Sequence, residues 1–78
     1  MTTQIFIGLF TEDGLDQICE TEQQASAERK DLISVGCKVS VYRAADELTL
    51  YAIDEWIRDG ISFATARNRV EAGYYAQL

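Results

Sequence analysis

The stretch QIFIGLF, residues 4–10, constrains the fold more than any other. Its β-branched and aromatic residues favour an extended strand, in which Ile5, Ile7 and Leu9 alternate with Phe6 and Phe10. Successive side chains of a strand point to opposite faces, so both faces of this one are apolar. Such a strand belongs in the interior of a sheet.

The flanking segments supply neighbours. TEDG, residues 11–14, is a turn signal of two acids followed by a glycine able to take positive φ. LDQICE, residues 15–20, returns as a second strand. Thr21 then begins a helix, because Thr21 and Gln24 have the spacing of a capping box and Glu22 places a negative charge in the first turn. Ala25, Leu32 and Ile33 form its apolar stripe with the stem of Arg29 between them, and Gly36 stops it.

CKVSVYRA, residues 37–44, alternates Cys37, Val39 and Val41 against Lys38, Ser40 and Tyr42, as a half-buried strand does. LTLYAI, residues 48–53, alternates again and predicts a hairpin turning at 45–47. A helix from Asp46 to Asp59 is the rival reading, with Asp46 as cap and Leu50, Ile53 and Ile57 at helical spacing. DEWIRD predicts a short helix, Gly60 breaks it, and Ser62 caps another that ends at Gly73. The expectation is a single α+β domain over residues 1–78. Its small antiparallel sheet has element order β-β-α-β-β-α, with helices on one face and a C-terminal helix pair.

Composition narrows the chemistry. The 78 residues carry no proline, no histidine and two cysteines, and 47% of them are hydrophobic, as in an ordinary globular protein. Without histidine the commonest general base and metal ligand is missing, and Cys19 and Cys37 alone are too few to hold zinc. Both cysteines sit in strand patterns and read as buried small hydrophobes, with a disulfide between them as the rival reading. The five glycines are scattered and form no phosphate loop. No catalytic residue, cofactor or metal is expected, and the chain reads as a non-enzyme. The absence of a long apolar run or a basic leader predicts a cytoplasmic protein with no membrane partner.

Charge is the remaining signal. The net charge is −6, and between Thr11 and Glu28 six acids occur with no lysine or arginine. A second group lies at 46–59, relieved only by Arg58. Glu12, Asp13, Asp16, Glu20, Glu22, Asp46, Glu47, Asp54 and Glu55 are therefore the candidate face for a basic partner, with plain solubility as the alternative reading of the same acids. Tyr42, Tyr51, Tyr74 and Tyr75 are candidate aromatic anchors at such an interface. GYYAQL at the end is a possible self-contact, leaving monomer and homodimer both open.

Two resemblances extend these readings. The run TEQQASAERKDLISVGCKVSVYRAADELTLYAI, in a very short acidic chain, resembles the small host-interaction proteins of phages and mobile elements, including anti-CRISPR proteins. That resemblance is one of size, charge and architecture. It implies stoichiometric inhibition of a nucleic-acid-binding host defence complex, by occupying its basic surface or locking its conformation. The segment LTLYAIDEWIRDGISFATARNRVEAG resembles the winged-helix excisionases and other short phage helix-turn-helix proteins through Trp56, Gly60, Thr65 and Arg69. It implies a DNA-binding regulator using residues 54–73, with Thr65, Asn68 and Arg69 as contacts. Against it stand the acidic balance and the expectation that Arg67 pairs with Glu71 at i+4.

Overall fold

The computed structural model describes residues 4–73. Its elements are β1 (Phe6–Thr11), β2 (Gly14–Cys19), α1 (Glu22–Ser34), β3 (Ser40–Ala44), α2 (Glu47–Arg58) and α3 (Phe63–Glu71). The strands form an antiparallel three-stranded sheet in the order β2-β1-β3, which puts the apolar QIFIGLF strand in the centre. The α+β class is as expected. The expected fourth strand is not: residues 48–53 lie inside α2, and 54–58 continue the same helix, with Asp59 as its C-cap, instead of starting a new one.

The physical reason is the cap. The Asp46 carboxylate accepts from the Thr49 backbone N–H and from the Thr49 hydroxyl, each at 2.8 Å. These bonds satisfy an otherwise orphaned amide and fix the helix start. Leu50 and Ile53 are then completely buried on one side, while Leu48 and Tyr51 are left exposed. A two-residue alternation of LTLYAI cannot produce that division, whereas a helical period does.

Helices cover both faces of the sheet, which corrects the single-face expectation. β1 pairs with β3 in unbroken register, so its alternate residues face opposite ways. Ile7 and Leu9 join Cys19 and the α1 residue Ala25, with Leu32, Val39 and Val41 at the margin. Phe10 joins Ala44 with Leu50, Ile53 and Ala66 from α2 and α3, and Phe6, Leu15, Ile18, Tyr42 and Trp56 pack around them. The apolar character of both faces of QIFIGLF required two covering layers. Within the α1 stripe, Ile33 is displaced outward and 46% exposed.

Gly8 lets α2 pack closely on β1. A Cβ there would stand 2.8 Å from the Phe10 ring and 2.9 Å from Leu50 Cδ2. The helix ends are closed as their sequences imply. The Thr21 hydroxyl accepts from the Gln24 N–H at 3.0 Å, and the Gln24 side chain accepts from the Glu20 N–H at 3.4 Å. The reciprocal box is thus shifted by one residue. Gly60, at φ +94°, ends α2, and its N–H donates to Ile57 O while that of Ile61 donates to Trp56 O. That is a Schellman motif, and it turns the chain directly into α3.

Candidate functional site

The acids nominated from the sequence separate into two sets once their neighbours are known. Glu12 and Asp13 occupy the β1–β2 turn, exposed, with the Asp13 N–H donating to Thr11 Oγ1 at 3.2 Å. Asp16 lies where β2 slips register: Leu9 faces Gln17 and Phe10 faces Leu15, so Asp16 has no cross-strand partner. It is the extra residue of a β-bulge on an edge strand, and its side chain is exposed. Glu20 follows β2 and is exposed as well. Among the described residues none of these four carboxylates lies within ion-pair distance of a cation.

The other acids, Glu55 excepted, have intramolecular partners. Glu22 binds Arg43 through two contacts, Nε to Oε2 at 2.7 Å and Nη2 to Oε1 at 2.6 Å. The Arg43 hydrogen bond holds the Glu22 carboxyl below its usual value, and Glu22 in turn raises that of the guanidinium. Asp46 caps α2, and the Thr49 N–H and hydroxyl hold its carboxyl below the ordinary range. Glu47 accepts from the Tyr51 hydroxyl at 3.4 Å. Asp54 is the most enclosed, its side chain only 16% exposed. Its Oδ1 accepts from the Leu15 N–H at 2.7 Å and from Arg58 Nε at 3.0 Å. Asp54 thereby ties α2 to the start of β2. Glu55 is exposed on α2 without an ion pair among the described residues.

The aromatic candidates divide similarly. Tyr51 is 47% exposed on α2, one turn from Leu48 at 67%. Glu47 and Glu55 frame this pair along the helix. Tyr42 packs against the core instead, and burial there pushes its phenol up. Tyr74 and Tyr75 lie outside the described residues. Leu48 was missed from the sequence because a strand reading assigns it no outward partner, whereas helical spacing puts it beside Tyr51.

The helix-turn-helix candidates are also placed. Thr65 and Asn68 are exposed on α3, but the Thr65 hydroxyl accepts from the Ser62 hydroxyl at 3.0 Å within the helix cap. Arg69 is half-buried, with its guanidinium 5.4 Å from the centre of the Trp56 ring. That distance is a cation–π contact. Arg67 and Glu71 approach to 3.9 Å, as their spacing implies.

Both cysteines are free thiols. Cys19 is fully buried, and burial together with the nearby Glu28 charge pushes its thiol up, away from the reactive thiolate. Cys37 is only half-buried, less enclosed than its strand pattern implies. Among the described residues no helix is long and apolar enough to cross a membrane. Comparison with protein families, curated proteins and solved structures returned no match.

Proposed function

We propose that this chain is a non-enzymatic protein-binding module, a phage-type inhibitor of the anti-CRISPR kind. In this reading its acidic hairpin edge covers a basic, nucleic-acid-binding surface of a host defence complex in the cytoplasm. The observation that supports it is the row Glu12, Asp13, Asp16 and Glu20 along the β1–β2 turn and the β2 edge, which has no ion pair among the described residues. Carboxylates without internal partners contribute nothing to the fold through ion pairing and keep their charge for a cationic surface. Leu48 and Tyr51, with Glu47 and Glu55 around them, add an apolar anchor of the kind that interface centres use.

The test is target-nucleic-acid binding by a panel of purified RNA-guided defence complexes with the chain added in stoichiometric amounts. At least one complex is expected to lose binding. Asp13→Lys/Asp16→Lys/Glu20→Lys should restore it, while Arg69→Ala leaves inhibition intact. Failure to inhibit any complex, or a wild-type gel shift of random duplex at low salt, overturns the proposal.

One observation favours the second reading, a small DNA-binding regulator. α2 and α3 are consecutive helices joined by a tight turn at Gly60, as a helix-turn-helix requires, and Thr65 and Asn68 face solvent. The stacking of Arg69 on Trp56 and the pairing of Arg67 with Glu71 count against it, since a reading helix needs extended cations.

A further inference from the structure

The two edges of the sheet are built differently. β2 carries a bulge at Asp16 and a row of acids, both of which discourage pairing with another strand. β3 has neither. It pairs with β1 without a break from Phe6↔Ala44 to Phe10↔Ser40, and among the described residues no strand lies on its other side. An open, regular edge of this kind presents unpaired backbone donors and acceptors to any extended chain that fits beside it.

The surroundings of β3 supply the fit. On the α1 side a groove of about 510 Å³ runs between helix and strand. Leu9, Ala25 and Val41 form its apolar part, and Arg29 and Arg43 contribute its cations. Two cations therefore line this edge on the α1 side. The acid beside them, Glu22, is taken up by Arg43. Arg29 has no carboxylate within ion-pair distance among the described residues. In a chain of net charge −6 this is a local cationic excess, on the edge opposite the acidic one.

We propose that the free edge of β3 is a docking site for an extended acidic segment of a partner protein, which adds a fourth strand to the sheet. Main-chain hydrogen bonds to β3 supply the affinity. Alternate side chains supply the choice of sequence: an apolar residue beside Val41 and a carboxylate turned to Arg29 and Arg43. Because β3 and β2 lie on opposite sides of β1, this site is independent of the acidic-edge reading.

The experiment is selection of a displayed library of random ten-residue peptides on the intact chain, followed by amide hydrogen exchange with the enriched peptides. Enriched sequences are expected to carry Asp or Glu in alternation with apolar residues, and to slow exchange within residues 40–44. Arg29→Glu, at an exposed helix position where the fold has no stake, should weaken them about fivefold, the scale of one exposed ion pair. The proposal is overturned by any of four results. These are no enrichment, enriched peptides without acids, protection at α2 or β2 instead of β3, or a self-associated chain with residues 40–44 already protected without peptide. Protection of 40–44 by a single-stranded oligonucleotide, with no acidic peptide able to compete, overturns it too.

Discussion

Asp54→Ala is the substitution whose outcome follows most directly from the geometry. The carboxylate accepts a 2.7 Å bond from the Leu15 N–H, 39 residues away in the chain, and is mostly enclosed. A hydrogen bond to a charged group contributes roughly 1.5–3 kcal/mol net. The half-buried Leu15 amide regains part of that from water, so the lower half of the range applies. The exposed contact with Arg58 adds only about 0.3–0.5 kcal/mol. The expected loss is about 2 kcal/mol. In a domain of this size that is a fall in melting temperature of roughly 8–16 °C. Urea denaturation followed by circular dichroism reads it directly, with Arg58→Ala as the control expected to cost less than about 0.5 kcal/mol. Relief of net negative charge predicts the opposite sign for Asp54→Ala, so the two explanations separate cleanly. A second arm uses Gly14, which sits at φ +120° where a Cβ would collide with Asp54 Oδ1. Gly14→Ala displaces the carboxylate as well as straining the backbone, so it should cost less in the Asp54→Ala background than alone. An Asp54→Ala loss below about 0.5 kcal/mol, or strict additivity with Gly14→Ala, would falsify the strut assignment.

Three further outcomes are expected. Gly8→Ala should destabilise by about 1–3 kcal/mol, measured by the same denaturation, because its methyl must displace the buried Phe10 ring or Leu50. Asp46→Asn keeps the α2 cap and should match the wild type at neutral pH, since both residues cap well. The folded-state carboxyl of Asp46 is lowered, so its contribution is present above the unfolded value and lost as pH falls through the folded one. A stability titration below about pH 4 should therefore be shallower in Asp46→Asn, and equal slopes would remove Asp46 from the acid response. Finally, Trp56→Phe should shift the Arg69 side-chain resonances by loss of indole contact, and unchanged shifts would contradict the stacking.

The sequence was readable where a local rule determined the structure. The Thr21 cap, the Gly36 stop, the TEDG turn, the Ser62 cap and the central strand all depend on residues within a few positions of one another. LTLYAI was misread because a six-residue apolar alternation fits a strand as well as one side of a helix. What decides between them is Asp46 bonding to Thr49 and Leu50 burying against Gly8, and the second of these is tertiary. The single-face arrangement failed for a different reason. The alternation of QIFIGLF already demanded cover on both faces, and only the misassigned strand hid the helix available to supply it.

The acidic face shows the same division between local and tertiary information. Residue type and spacing nominated nine carboxylates as equivalent, yet their structural roles differ. Asp46 and Asp54 hold α2 in place, Glu22 is clamped by Arg43, and Glu47 meets Tyr51. Reversing any of these would disturb the fold or a side-chain pair, and a lost interaction with a partner would then be ambiguous. Glu12, Asp13, Asp16, Glu20 and Glu55 have no such ties among the described residues, and four of the five follow the β1–β2 turn and the β2 edge. Their repulsion is a cost the folded chain carries without internal return. A binding experiment that reverses these charges, leaving Asp46 and Asp54 intact, therefore probes recognition and not stability. A melting temperature of the Asp13→Lys/Asp16→Lys/Glu20→Lys chain no lower than that of the wild type would establish that separation, because these side chains make no ion pair among the described residues and relief of self-repulsion favours the fold.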